Sequence, residues 1–372
     1  MAKRVVGITG LAGFVGQHLS ERIIRGDSMT TPHFEDDWWR APERLDAFLE
    51  PCDAIVHLAA MNRGDPDEIY RVNVSLVKTL VQRLEQLGSV PHVVFASSTQ
   101  CELDNPYGRS KREGAQILQE WAQRTGASLT VLVIPNVFGD RGRPHYNSVV
   151  ATFCHQLTHG ETPTLTGDKE LDLIAINDLT DVMHDVLADP PDGIDVRRPA
   201  PTGRRKISQL LNRLREFRDG YFADGTVPAF EDRFDRVLYN VFVSYMDAVD
   251  YGRRPQIHAD ARGSLFEIVR HSGSGQVFYS TTKPGITRGN HYHTRKMEKF
   301  CVVAGEAAIR LRRIETDEVV EYRVTGDTPS IIEIPIYYTH NIENVGASDL
   351  MTLFWANEVF DPTDADTWYE EV

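Results

Sequence analysis

One stretch, Arg4 to about Arg25, constrains the fold more than any other. Arg4-Val-Val-Gly-Ile-Thr9 is a short apolar run, and Gly10-Leu-Ala-Gly13-Phe-Val-Gly16 follows it at once. A run of that length ending at glycine reads as a buried parallel strand. The glycine turn then opens a helix that is expected to end near Arg25. Small residues at such a turn let backbone approach a pyrophosphate, and the helix N-terminus faces its charge. A tight turn without a ligand is the plainer alternative. The strand before the turn and the helix after it favour the phosphate-binding reading.

The pattern continues in the same texture. Met29-Thr-Thr-Pro-His-Phe34 is the candidate second strand, followed by Glu35-Asp36-Asp37 with Arg40 as the nearest base. An acid there holds an adenosine ribose and favours NAD, whereas a base favours NADP, so both remain open. Asp53-Ala-Ile-Val-His-Leu58-Ala59-Ala60 reads as a further buried strand. Pro66 starts a helix through Asn73 to Leu87, with Gly88 as its stop. His92-Val-Val-Phe-Ala96 is another strand, ending at Ser97-Ser98-Thr99, and Tyr107-Gly-Arg-Ser-Lys111 opens a helix to about Arg124. The i, i+4 spacing puts Tyr107 and Lys111 on one helix face. An ammonium beside a phenol is expected to lower the phenol's pKa and let it pass protons near neutral pH. Ser98 would hydrogen-bond the substrate oxygen.

From Asp250 onward the texture changes to short alternating strands separated by Gly and Pro. That shift places the domain boundary near residue 247, giving domains 1–247 and 248–372. Before it, Ile207 to Phe217 reads as a short amphipathic helix, and Ala229 to Tyr245 has apolar residues at helical spacing. Within the second domain, His291 and His293 share one face of a strand because side chains alternate with period 2. Glu298 follows a short turn, Gly305 allows a tight bend, and His340 comes from Pro335-Ile-Tyr-Tyr-Thr-His340. Imidazole and carboxylate are ligands that borderline divalent metals accept. These four side chains can converge inside a barrel, either around a metal or as the lining of a metal-free pocket.

Composition excludes several classes. The net charge of −14 argues against nucleic acid and anionic membranes as partners, since both need a basic face. No apolar run approaches the roughly 20 residues of a membrane span. Met-Ala-Lys-Arg leads straight into a strand without a signal-peptide core. Cys52, Cys101, Cys154 and Cys301 are scattered with no CxxC pair. They read as reduced thiols, so the expected location is cytoplasmic.

On these residues the chain resembles two known families. Gly10, Gly13 and Gly16, with Ser98, Tyr107 and Lys111, resemble the extended short-chain dehydrogenase/reductase family, which includes nucleotide-sugar epimerases, dehydratases and ketoreductases. Pro135-Asn136-Val-Phe-Gly139 is similar to its segment contacting nicotinamide and substrate, and Asp178 to its helix-capping aspartate. Many members place Arg-Asp-Phe shortly before that aspartate; here the segment is Leu171-Asp-Leu173. Arg141 and Arg143 are then the candidate phosphate ligands. His291, His293, Glu298 and His340 match the metal positions of the two-part cupin motif, with Tyr337 where that motif usually has glycine. Asp260-Ala-Arg262-Gly-Ser-Leu-Phe266-Glu267 and Arg288-Gly-Asn-His-Tyr292 resemble the cupin sugar-nucleotide 3,5-epimerases, in which His291 would be a base. The expected fold is therefore an α/β Rossmann-type domain followed by an all-β cupin barrel.

Taken whole, the chain resembles the bifunctional enzymes of capsular polysaccharide synthesis that join such a reductase to a metal cupin. The resemblance implies conversion of UDP-2-acetamido-2,6-dideoxy-4-hexulose to UDP-2-acetamido-2,6-dideoxy-L-talose, on the route to UDP-N-acetyl-L-fucosamine. It implies NADPH, with NADH left open by the acidic Glu35-Asp36-Asp37, together with zinc or another divalent metal, and a homodimer. It implies catalysis by Ser98, Tyr107, Lys111 and His291. Implied cofactor contacts are Gly10, Gly13, Phe14, Val15, Gly16, Leu58, Ala59, Ala60, Asn73, Tyr107, Lys111 and Pro135. Implied substrate contacts are Asn136, Arg262, Phe266, Lys299 and Tyr338. A C3 proton is acidic only while C4 is a carbonyl, so epimerisation must precede reduction. The competing readings are a nucleotide-sugar 4-epimerase or 4,6-dehydratase with a non-catalytic cupin, and a sugar-nucleotide binding protein without catalysis. Thr99-Gln100-Cys101, where a dehydratase typically has Asp-Glu, counts against the dehydratase. The intact Ser98, Tyr107 and Lys111 count against loss of catalysis.

Overall fold

Strands β1 (Arg4–Thr9), β2 (Met29–Thr30), β3 (Ala54–His57), β4 (His92–Ser98), β5 (Leu129–Ile134) and β8 (Ile194–Arg197) form a parallel sheet in the order β2-β1-β3-β4-β5-β8. The computed structural model describes residues 3–254, 258–260, 263–265, 275–358 and 361–372. Alternation along the strands feeds two separate cores. Ile55, Val93 and Phe95 point to one face, where they meet helices α2 (Pro42–Leu49), α3 (Pro66–Leu87) and α4 (Pro106–Thr125) through Phe48, Leu80 and Trp121. Val6, Ile8, Val56 and Val94 point to the other, onto α1 (Phe14–Ile24) and α6 (Ile176–Ala188) through Leu19, Ile23, Leu179 and Met183. Burial on both faces is why these strands read as continuous apolar runs. Between β1 and β3 the strand order reverses direction, which opens a crevice at their carboxyl ends. A small sheet of β6 (Asn136–Phe138), β7 (Glu170–Ala175) and β9 (Gly203–Lys206) completes this part. The second strand is shorter than Met29–Phe34: only Met29 and Thr30 pair with β1, and Phe34 packs instead against Trp38 and Phe48.

The rest of the β-structure is antiparallel. One five-stranded sheet runs β10 (Gly252–Arg253), β18 (Ile331–Ile334), β15 (Glu298–Ala304), β20 (Leu350–Ala356), β13 (Gln276–Thr282). The other runs β17 (Val319–Thr325), β16 (Glu306–Arg313), β19 (Tyr338–Asn344), β14 (Thr287–Tyr292), β21 (Trp368–Tyr369). β11 (His258–Asp260) and β12 (Gly263–Leu265) pair as a separate hairpin. The two larger sheets face each other, with Phe300 of β15 set edge-on to His340 of β19 at 5.5 Å. The α/β sheet and the antiparallel barrel are the architecture expected from the sequence.

Two compact units divide the chain: Met1–Arg143 with Glu170–Arg205, and Pro144–Lys169 with Lys206–Val372. A cut at residue 247 falls inside the second unit. Helices α5 (Val149–Thr158), α7 (Ile207–Asp224) and α8 (Arg233–Ser244) belong with the barrel strands. Asn240 on α8 explains this for its helix. Its amide donates to the Arg295 carbonyl, and its oxygen accepts from Asn357 at 3.1 Å in a buried network. The helices at Ile207 and Ala229 are found, the first extending to Asp224 and the second beginning at Arg233. All four cysteines are free thiols, and no helix among the described residues is long and apolar enough to cross a membrane.

Candidate active site and metal centre

The glycine turn after β1 has the shape its sequence requires. Gly10 adopts φ 72°, and a Cβ on it would lie 2.9 Å from the Ala59 amide nitrogen. A Cβ on Gly16 would lie 2.4 Å from the Gly10 carbonyl. Gly13 is the N-cap of α1 and offers no side chain, and the first turn holds no acid. The α1 amides therefore keep their positive end for an outside anion. Leu58, Ala59 and Ala60 follow β3 in partial exposure, while Phe14 packs its ring against His18 at 5.1 Å. Val15 is half-buried beside it. This cradle fits a dinucleotide. Asn73 does not point into it: its oxygen accepts the Met61 amide at 2.6 Å, and its nitrogen donates to the Met61 carbonyl and the Ser110 hydroxyl. It shapes the loop after β3 and acts on any ligand through that loop.

The second constellation sits at the end of β4. Ser98 is half-buried and accepts the Gln100 amide at 3.2 Å, which starts a 3₁₀ turn over Thr99–Glu102. Asn105 caps α4 by accepting from Gly108, and a Cβ on Gly108 would come within 2.2 Å of the Gln100 carbonyl. Glycine thus lets the first turn of α4 press against the turn that follows Ser98, carrying Tyr107 there. Lys111, almost fully buried, donates to the Ala96 carbonyl at 2.7 Å, and its ammonium lies 5.6 Å from the Tyr107 ring centroid. Burial brings the Lys111 pKa down to about 8. Burial also pushes Tyr107 up to about 12, opposite to the lowering expected from sequence. Loss of hydration around the phenolate outweighs the ammonium, whose hydrogen bond goes to the backbone. Tyr107 is thereby held as the protonated phenol. Pro135 is buried after β5, and the exposed Asn136 donates to the Asp172 carbonyl at 3.2 Å.

Two sequence candidates serve packing instead. Arg141 is committed to Glu21 at 2.8 Å and to Asp140 at 3.1 Å, which removes it as a phosphate ligand. Asp178 lies in the first turn of α6 rather than at its N-cap, and accepts from Thr202, whose hydroxyl takes the Ala175 amide.

In the barrel, register does what the sequence could only suggest. β14 and β19 pair so that His291 stands opposite His340. His291, His293, Glu298 and His340 place their ligand atoms within 4.8 Å of one another. His293 Nε2 and His340 Nε2 lie 3.4 and 3.3 Å from Glu298 Oε2. The His293 Nδ1 donates to the Asp366 carbonyl, and the His340 Nδ1 to the Tyr338 carbonyl at 3.2 Å. In the neutral rings this leaves each Nε2 as a lone pair. Both are buried without a hydrogen-bond partner and both aim at the carboxylate. A divalent cation fits that donor set, with the backbone carbonyls fixing ring orientation. Burial, then His340 and His293, brings His291 down to about 4. Burial opposes the charge on Glu298, but without a metal, Nε2–H groups of His293 and His340 turned to the carboxylate hold its carboxyl below the usual range; in the neutral rings a cation takes the place of those protons. The cluster opens on a cavity of about 500 Å³ that Arg288, Lys296, Phe300 and Phe354 also line.

Lys299 does not face that cavity. Glu298 and Phe300 point inward, so Lys299 points outward. It is 2% exposed, ion-paired with Glu333 at 2.5 Å and bonded to the Gly225 carbonyl. Tyr338 is buried with its ring edge-on to Tyr251 at 5.5 Å, off the cavity wall. Arg262 and Phe266 lie outside the described residues. Tyr337, the departure from the usual glycine, takes φ 60°, the left-handed backbone that glycine favours. Its buried ring stacks on Tyr292 at 6.4 Å.

Sequence reasoning missed Asp366. Its buried carboxylate accepts the amides of Thr294, Arg295 and Lys296 at 3.1, 2.9 and 3.1 Å and the Thr294 hydroxyl at 2.7 Å. It therefore clamps the turn joining His293 to Glu298. No local signal marks it, because every partner but Trp368 is about 70 residues away.

Residues 6–197 match the NAD dependent epimerase/dehydratase family, and residues 258–368 match the polysaccharide biosynthesis C-terminal domain. The chain is 32% identical over 364 residues, 97% of each protein, to the UDP-2-acetamido-2,6-beta-L-arabino-hexul-4-ose reductase of Pseudomonas aeruginosa. It is similar in structure to the capsular polysaccharide assembling protein CapF of Staphylococcus aureus, at 34% identity and TM-score 0.63, covering 99% of this chain and 100% of that one.

Proposed function

The chain belongs to the NAD dependent epimerase/dehydratase family and, over its whole length, to the family of CapF, and from that premise we propose a two-step nucleotide-sugar enzyme. The barrel epimerises C3 of UDP-2-acetamido-2,6-dideoxy-4-hexulose. The reductase part, which holds Ser98, Tyr107 and Lys111, then reduces C4 to give UDP-2-acetamido-2,6-dideoxy-L-talose for polysaccharide synthesis. The carrying observation is that one chain holds two unlike constellations, Ser98–Tyr107–Lys111 at a dinucleotide crevice and a histidine–carboxylate cluster in a barrel cavity.

Bound NADPH would supply hydride to C4, and a divalent ion held by His293, Glu298 and His340 would supply Lewis acidity. His291, neutral and the least buried of the four, takes the C3 proton from one face, and solvent admitted to the cavity returns a proton to the other. Arg288 on the same cavity wall offers a cation to the diphosphate. At the other site, Ser98 hydrogen-bonds O4 and Tyr107, kept protonated by burial, gives O4 its proton. Lys111 holds positive charge beside the phenolate that results. Once O4 is a hydroxyl, the C3 proton is no longer acidic and the new configuration is fixed.

The test uses the full chain in D₂O with the 4-keto sugar nucleotide and NADPH. Tyr107→Phe is expected to lose at least ~10²-fold in NADPH oxidation, the ordinary worth of a positioned acid. It should still place deuterium at C3, whereas His291→Ala should not. Undiminished oxidation by Tyr107→Phe would remove the reductase assignment, and undiminished exchange by His291→Ala would remove the barrel from C3 chemistry.

A further inference from the structure

A second group of metal-type ligands lies on α5, outside the barrel. His145 precedes the helix, His155 is on it and Glu161 follows it, and their ligand atoms lie within 4.8 Å of one another. His145 Nε2 is 3.9 Å from one oxygen of Glu161, and His155 Nε2 is 4.0 Å from the other. The two imidazole planes stand at 89° with centroids 5.6 Å apart, and each ring brings its Nε2 within 4.0 Å of the same carboxylate. The backbone fixes this arrangement. His145 sits at φ 56°, and its amide donates to Thr152 Oγ1 at 3.0 Å, which ties the loop to the second turn of α5. His159, one turn after His155, is directed elsewhere: its Nδ1 donates to the His155 carbonyl at 2.8 Å and its Nε2 approaches Asp247.

We propose that His145, His155 and Glu161 form a second divalent-cation site, selective for zinc or a similar imidazole-preferring transition metal, with water completing the shell. Two imidazoles and a carboxylate make the donor set that suits zinc and discriminates against magnesium and calcium, which take oxygen ligands. Bonds of about 2.0–2.2 Å in a tetrahedron put ligand atoms about 3.3 Å apart. Contraction from the present separations needs shifts of about an ångström or less per side chain. His145 and Glu161, with side chains 53% and 46% exposed, have the freedom to make them. Three protein ligands leave an open position, so the site would exchange its ion more readily than the buried barrel cluster. An ion here would join the chain before α5 to the chain after it. Its effect would pass to Tyr146–Ser148, which follow His145 and line a cavity of about 310 Å³ with Thr164–Gly167.

The experiment titrates the chelator-stripped full chain with zinc chloride against a chromogenic zinc indicator. The parent is expected to bind one more equivalent than either His145→Ala/His155→Ala or Glu161→Gln, all three at the same melting temperature without metal. His293→Ala/His340→Ala should retain one equivalent, and adding His155→Ala should remove it. Equal stoichiometry and affinity in the parent and Glu161→Gln would overturn the site. So would uptake by the barrel variant only at millimolar zinc. If the barrel variant does not fold, the comparison of parent with Glu161→Gln decides alone.

Discussion

Asp366→Ala tests how far the barrel cluster depends on a residue remote in sequence. The carboxylate accepts three backbone amides and a hydroxyl within the turn 294–296, and the Trp368 indole lies 3.3 Å away. A hydrogen bond to a charged group is worth about 1.5–3 kcal/mol. A simple sum over these contacts overshoots, because water enters the space left by the side chain and replaces part of what is lost. About 3–4 kcal/mol is expected, in the range of substitutions that break a buried polar network. At about 2–4 °C per kcal/mol for a unit of this size, the second unit should melt roughly 6–16 °C lower. Asp366→Asn should not rescue it, since the new NH₂ would face amide donors where an acceptor is required. The His293 Nδ1 bond is to the Asp366 main chain and survives both substitutions. Metal affinity therefore falls only through displacement of the 294–296 turn, by about 10- to 100-fold, as for other outer partners of metal ligands. Scanning calorimetry and zinc competition on the full chain read both quantities. Parental melting in Asp366→Ala would refute the clamp, and lower melting with unchanged zinc affinity would refute its link to the cluster.

Further outcomes at Lys111, Lys299 and Tyr337 follow from the same geometry. Lys111 must be charged to support Tyr107, so NADPH oxidation should fall as pH rises through about 8, and Lys111→Met should abolish that limb of the profile. The stability effect has the opposite sign: between about 8 and the ordinary 10.5 the unfolded chain holds the Lys111 proton and the folded chain does not, so this contribution rises with pH, as a urea-melt series would show. Lys299→Met removes the ammonium from the fully buried Glu333 and should cost about 3–5 kcal/mol in chemical denaturation, with zinc stoichiometry unchanged because Lys299 faces away from the cavity. Tyr337→Gly relieves a left-handed backbone worth about 1–2 kcal/mol but loses a buried ring worth about 3–5 kcal/mol, so calorimetry should find it destabilised.

The features legible in the sequence are those whose physics is local. Gly10 and Gly16 could be read because a positive φ and a close carbonyl exclude any side chain at those positions, whatever surrounds them. His291 and His293 could be read because strand alternation places them on one face, and Tyr107 and Lys111 because a helical turn does the same. Tertiary structure decided everything that depended on which surface those faces met. The β14–β19 register brought His340 opposite His291, and Asp366 of the C-terminal segment supplied both the carbonyl bonded to His293 and the carboxylate that holds the turn after it. Lys299 left the site because its neighbours in β15 took the inward direction, and Arg141 because Glu21, 120 residues away, lies within its reach. The phenol of Tyr107 was raised rather than lowered because its protonation is set by how much water the fold excludes from it, a quantity that residue spacing does not encode.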